Sequence, residues 1–125
     1  MNLQLHVTSL QEWRDWLAAH HEDESEVWLV FFKKKTGKQV FSYAESVEEA
    51  LCFGWIDSLE RGVNEEEYAL RFTPRGKKSK WSESNKDRVE RLINQGKMTE
   101  AGLRVVREAK EDGRWGEKEG EEKNV

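Results

Sequence analysis

Six consecutive apolar residues, Val27-Trp28-Leu29-Val30-Phe31-Phe32, do most to limit how this chain can fold. An unbroken run of β-branched and aromatic side chains suits a buried strand, and this one is too short to stand as a helix. A buried strand needs sheet partners beside it and a layer of helices over it. Charged residues bound the run on both sides. Glu22 to Glu26 read as a loop, and Lys33 to Lys38, with Thr36-Gly37 inside, as a turn.

The rest of the pattern supplies the partners. Ser9 and Glu12 have the S-x-x-E spacing of a capping box, and Leu10, Trp13 and Leu17 follow at helical spacing to about His20. Ser42 and Glu45 repeat that spacing. Tyr43, Val47, Ala50 and Leu51 then predict the buried face of a second helix, with Gly54 near its C-terminal cap and Glu45, Glu48 and Glu49 on a solvated face. Two strands are expected at Trp55–Arg61 and Glu67–Thr73, joined as a hairpin through residues 62–66 and ended by Pro74. Ser82 or Ser84 can cap a third helix with Val89, Leu92 and Ile93 inside. Thr99 can cap a fourth with Leu103, Val106 and Ala109 inside, and the short connection predicts an αα-hairpin. The expectation is one α+β domain over residues 1–115, in the order α-β-α-β-β-α-α, with a small antiparallel three-stranded sheet. Residues 116–125, mostly Glu, Lys and Gly, hold one apolar side chain and are expected to form a disordered acidic tail.

A net charge of −4 and a pI near 5.5 argue against a general nucleic-acid or membrane coat. No apolar run approaches the roughly 18–20 residues that cross a bilayer, so membrane insertion is not expected. The opening residues lack a basic region followed by an apolar stretch, and Cys52 is the one cysteine. Neither a secretion signal nor an internal disulfide is expected, and the cytoplasm is the expected compartment.

Several blocks carry a family likeness: EWRDWLAAHH, VWLVFFKKKTGK, SYAESVEEALCFGWIDS and YALRFTPRGKKSKWSESNKDRVERLINQGKMTEAGLRVVREAKEDGRW. In this order, over residues 10 to 115, they resemble the bacteriocin-protection (YdeI/OmpD-associated) family. The resemblance implies a role in bacterial defence or stress. It implies no particular reaction or ligand, so the motif positions serve only as a candidate surface.

If the hairpin loop is centred near Asn64, Asp57 lies opposite Arg71, Trp55 opposite Thr73, and Leu59 opposite Ala69. These six would share one face, with Ile56, Tyr68, Leu70 and Phe72 on the core face. The first face would then offer an ion pair beside an indole. It can recognise a polar or anionic ligand, or serve only as a cross-strand salt bridge of roughly 0–1 kcal/mol. Two stretches carry no acid: residues 33–40, with Lys33, Lys34, Lys35 and Lys38, and residues 71–80, with Arg71, Arg75, Lys77, Lys78 and Lys80. Together they hold nine of the 21 basic residues. Placed side by side they would make a basic patch on an acidic protein, with Trp81 able to stack and Asn85, Ser79 and Ser82 able to hydrogen-bond. The alternative is that the lysines are solvated and guard strand ends.

Catalytic patterns are not found. Thr36-Gly37-Lys38 lacks the spacing of a phosphate-binding P-loop, and no GxSxG, paired CxxC or HExxH occurs. Cys52, at a helix C-terminus beside Phe53 and Trp55, reads as a packed side chain. His6, His20 and His21 lack metal-site spacing. The function expected from these residues is a non-enzymatic binding or regulatory module, with no cofactor or metal, for an anionic, phosphate-bearing small molecule or a protein partner. Its site would combine Lys33, Lys34, Trp55, Asp57, Arg71, Thr73, Arg75, Trp81 and Asn85. One rival is a nucleic-acid binder using the same patch or the helix from Glu100 to Asp112. The other is an enzyme for a small phosphorylated or acyl substrate, with Asp57 or Glu45 as base.

Overall fold

The computed structural model describes residues 3–77 and 79–116. The expected tail therefore lies outside the described residues from position 117 onward. The apolar run forms strand β2 (Val27–Phe32), and its composition follows from burial on both faces. Val27, Leu29 and Phe31 enter the main core, while Trp28 and Val30 join Ala69 in a smaller cluster on the opposite face.

Three further strands complete the sheet: β1 (Gln4–Leu5), β3 (Trp55–Gly62) and β4 (Glu67–Pro74). Their spatial order is β1-β2-β4-β3, with β4 antiparallel to both β2 and β3 and β1 parallel to β2. The sheet is thus four-stranded and mixed, and the element order is β-α-β-α-β-β-α-α. That overturns the expected three-stranded antiparallel sheet and its order. A two-residue strand is too short to leave a period in the sequence. Gln4 and Leu5 take their place by pairing with Trp28 and Leu29, and the Trp28 N–H donates to the Leu3 carbonyl at 2.8 Å.

Four helices cover one face: α1 (Leu10–His20), α2 (Tyr43–Leu51), α3 (Glu83–Asn94) and α4 (Glu100–Glu111). Each begins at a hydroxyl cap that accepts an otherwise orphaned backbone N–H. Ser42 and Glu45 form a complete capping box. At α1, Ser9 accepts from the Glu12 N–H, but the Glu12 carboxylate turns to the backbone and hydroxyl of Thr8 instead of closing the box. Ser82, rather than Ser84, caps α3, and Thr99 caps α4. Trp13, Leu17, Val47, Ala50, Leu51, Val89, Leu92, Val106 and Ala109 fill the core from the helix side. Tyr43 and Ile93, expected inside, are 48% and 43% exposed. Glu49, expected in solvent, is buried because Arg14 reaches it from α1 at 2.9 Å.

The last two helices, joined through residues 95–99, dock against α2 and the turn that follows it. Arg91 of α3 bonds Glu48 of α2 at 2.6 Å. At α4, the Thr99 N–H and hydroxyl both donate to the Cys52 carbonyl, at 3.0 and 2.6 Å. The terminal carbonyls of α2 need partners: the N–H groups of Phe53 and Gly54 serve Ala50 and Leu51, and the α4 cap serves Cys52. Gly102 makes this approach possible, as the helix has no side chain where it meets Cys52.

Candidate functional site

The β3–β4 register decides which expected site residues meet. Trp55 lies opposite Pro74, Ile56 opposite Thr73 and Asp57 opposite Phe72. An irregularity between Asp57 and Glu60 follows, and Arg61 then lies opposite Ala69. Opposed residues share a face, and a one-residue slip moves side chains to the other side of the sheet. Trp55 and Asp57 therefore turn to the helix side with Phe72, while Arg71 and Thr73 point the other way. The expected Asp57–Arg71 pair does not form. Asp57 accepts from the Tyr43 hydroxyl at 2.7 Å, and Arg71 pairs with Glu26 and reaches the Ser58 hydroxyl at 3.3 Å. Trp55 is buried, edge-on to Trp16 with ring centroids 5.8 Å apart.

The β2–β4 register likewise separates the two basic stretches. Val27 is opposite Phe72 and Phe32 opposite Glu67, so five residue steps, roughly 16 Å of strand, lie between these pairs. Lys33 and Lys34 continue beyond Phe32, whereas Arg75 lies beyond Phe72 at the other end. The Lys33 N–H donates to the Glu66 carbonyl at 2.7 Å, and Lys38 lies 3.4 Å from the Glu66 carboxylate. Lys33 and Lys34 thus do not converge with Arg75.

Two of the expected residues meet directly, Arg75 and Trp81, between the end of β4 and the start of α3. The Arg75 backbone N–H donates to the Gly54 carbonyl at 2.9 Å, which fixes the root of the side chain. Its guanidinium carbon lies 3.7 Å from the centroid of the Trp81 ring. Nη2 donates to the Lys80 carbonyl at 2.8 Å. Nε and Nη1 are buried without a hydrogen-bond partner, as is Nε1 of Trp81. No carboxylate among the described residues forms an ion pair with Arg75. Burial and then the charge of Arg114 push the Arg75 pKa down to about 10, with Asp57 acting weakly in the other direction. Asp57 acts on the Arg75 charge from β3, and Asn85 stands in the first turn of α3. Asn85 accepts from Arg88 at 2.8 Å, and burial, then the bond to Asp57, pushes the Tyr43 hydroxyl up to about 12.

Arg75 also lines a cleft of about 550 Å³ between the end of α1 and α4. Elsewhere, burial raises the Cys52 thiol above its ordinary pKa, so it is not poised as a nucleophile. His20, Asp23 and Glu24 are the one group among the described residues whose ligand atoms converge as a metal site would need, and both carboxylates are exposed. Such a surface cluster does not by itself make a metal centre. No helix among the described residues is long and apolar enough to cross a membrane.

Residues 5–105 match the model of a family described as a domain of unknown function, DUF8412. The chain belongs to the DUF8412 family. No curated protein and no solved structure matches it. The DUF8412 span contains Arg75, Trp81 and Asn85, while two residues that buttress them lie beyond it. Trp115 packs on Trp81 with ring centroids 4.9 Å apart, and Arg114 donates to the Gly76 carbonyl at 2.9 Å. Sequence reasoning did not place Arg114, Arg88 or Tyr43 at the site. The signal available was Trp115, an isolated indole in a polar stretch, which calls for a packing partner.

Proposed function

We propose that this chain is a non-enzymatic binding module that holds a ligand by an anionic group, phosphate or carboxylate, at Arg75 beside Trp81. It would act in the cytoplasm, in a stress or defence response of the kind that the resemblance to bacteriocin-protection proteins implies. The observation that carries the reading is the half-buried Arg75 guanidinium, with two enclosed nitrogens unpaired, and no carboxylate partner, among the described residues. Burying a charge without a partner costs several kcal/mol. An anion at this point would turn that deficit into charge-assisted hydrogen bonds of roughly 1.5–3 kcal/mol each. Beside the guanidinium, Arg75 donates to the Lys80 carbonyl and Arg114 to the Gly76 carbonyl, while Gly76, Lys77 and Lys80 are exposed.

Other features disfavour the rivals. Asp57 is engaged by Tyr43, and the Glu45 carboxylate accepts the Ser42 N–H at 2.9 Å, so each proposed base is occupied. The basic stretches lie at opposite ends of the sheet, and Arg107 of α4 is paired with Glu100 at 2.6 Å, which leaves no continuous track for a nucleic-acid backbone. Trp81 provides the readout. Titrating its fluorescence with phosphate and carboxylate compounds at two salt concentrations should give saturable binding, and Arg75→Gln should weaken it at least tenfold, the loss of one charged hydrogen bond. Equal binding by the variant would refute the assignment.

A further inference from the structure

We infer that the open edge of β2 receives one residue of an extended, uncharged peptide carrying an apolar side chain. Strand β2 has six residues, but β1 pairs only with its Trp28 and Leu29. Val30, Phe31 and Phe32 therefore have β4 on one side and no strand on the other. The Trp28 N–H donates to Leu3 on the β1 side, whereas the Lys33 N–H donates to Glu66 on the β4 side. Backbone direction alternates along a strand, so the polar groups of Val30 and Phe32 face the open side with those of Trp28. The Phe32 N–H finds no strand there and donates to the side-chain oxygen of Gln39 at 2.8 Å, an amide standing in for a peptide carbonyl. Among the described residues, no backbone N–H from outside the sheet donates to the Val30 carbonyl. In a parallel ladder, one residue donates to the residue before its neighbour and accepts from the residue after it. A ligand residue beside Phe31, running in the sense of β1, would thus bond the Val30 carbonyl and take the Phe32 N–H over from Gln39.

A cavity of about 270 Å³ lies at this edge, lined by residues 6–8, 30–32 and 38–40 with Glu67. Its lining comes from both faces of β2, Phe31 from the core side and Val30 from the other, so the strand's own edge borders the space. The volume falls below the roughly 300–1,000 Å³ of sites for whole small molecules and suits a single side chain. Val7, Val30, Phe31, Phe32 and Val40 make the lining mainly apolar. The charges around it are already matched. Lys38 lies 3.4 Å from Glu66, while Glu67 accepts from Asn64 at 2.8 Å and stands 4.0 Å from His6. An uncharged ligand therefore fits better than an ionic one. Such binding is strand addition, in which main-chain bonds supply affinity and the cavity selects the side chain. The site is separate from Arg75, because Phe32 pairs with Glu67 at the start of β4 and Arg75 follows its end.

The test uses the full, isotope-labelled chain in NMR titrations with acetyl-Thr-X-Thr-amide, where X is valine, leucine or phenylalanine. Saturable shifts should centre on the Phe32 amide. The best peptide is then methylated either at the nitrogen of X or at that of the following threonine. Only one of these nitrogens can face β2, so one isomer should bind at least fivefold more weakly and the other nearly as well as the parent. Val40→Asp places a charge beside the cavity at a position 65% exposed, so the fold should survive, as a thermal melt verifies, while binding falls at least tenfold. Arg75→Gln should bind the peptide like the parent chain. Equal binding by the two isomers, or shifts that leave Phe32 unmoved, would show a merely apolar cavity and overturn the strand addition. The absence of any shift would overturn it as well.

Discussion

Replacing Gly102 with alanine should lower the stability of the protein by about 2–3 kcal/mol, the usual scale of an overpacked core. In an exposed helix interior the same change would raise stability by about 0.8–1.0 kcal/mol, because alanine is the better helix former. The sign is reversed here by what the methyl would meet. It would overlap the Cys52 carbonyl oxygen, and lie 2.8 Å from the carbonyl carbon and 2.9 Å from the Leu51 oxygen. All three are backbone atoms at the end of α2 and cannot rotate away. Helix α4 would have to retreat, and the two Thr99 hydrogen bonds to Cys52 would go with it. Urea melts of Gly102→Ala beside Gly62→Ala, where an added methyl meets nothing within 4 Å, decide the matter. An unchanged or raised midpoint for Gly102→Ala would mean that α4 does not rest on the α2 terminus.

Trp13→Ala should be still more damaging, at about 3–5 kcal/mol, in the range of large aromatic truncations. Its indole is fully buried, 5.0 Å between centroids from Phe72 of the sheet and 5.8 Å from Trp16 of its own helix. Its Nε1–H donates to the Ser46 carbonyl at 3.0 Å and so ties α1 to α2. Trp13→Phe separates the two contributions. It keeps much of the packing and leaves that buried carbonyl without its donor, an omission worth roughly 1–3 kcal/mol. Denaturant midpoints of both variants are the measure. Equal, small losses would show that the Trp13 position is plastic and does not join sheet to helices.

Where a residue's environment is set by its neighbours in sequence, the fold could be read directly. The Val27–Phe32 run is apolar at every position because both faces of β2 are covered, and the Ser42/Glu45 box is complete within four residues. Features set by distant partners were not legible. Glu49 looks solvated until Arg14 arrives from another helix. Tyr43 keeps the apolar spacing of α2, but it stands at the helix's first turn, where its hydroxyl finds Asp57 on β3. The hairpin residues were identified, yet Gly62 pairs with Tyr68, which centres the loop at residue 65 instead of 64, and the irregularity after Asp57 then turns Asp57 to the face opposite Arg71. Arg75 and Trp81 were both visible as candidates. Their separation from Lys33 and Lys34 depends on the antiparallel course of β2 and β4, which belongs to the topology alone.

On this reading Arg75 is a half-buried cation kept for a ligand at the expense of the unliganded fold. Its folded-state pKa is pushed down to about 10 from the ordinary guanidinium range, so above that point the unfolded chain binds more protons than the native one. Stability then rises with pH from there, and below about pH 10 the destabilising effect of the charge is fully present. Arg75→Met removes the charge and leaves a flexible apolar chain on the Trp81 ring, at the loss of one hydrogen bond to Lys80. The decisive measurement is the urea midpoint of Arg75→Met against the parent chain at pH 7, without added ligand. The variant should be at least as stable as the parent, since replacing a poorly compensated, half-buried charge by an apolar group is neutral to stabilising. A loss of about 2 kcal/mol or more, the size of a broken buried interaction, would show instead that Arg75 holds the fold together and is not kept for a ligand.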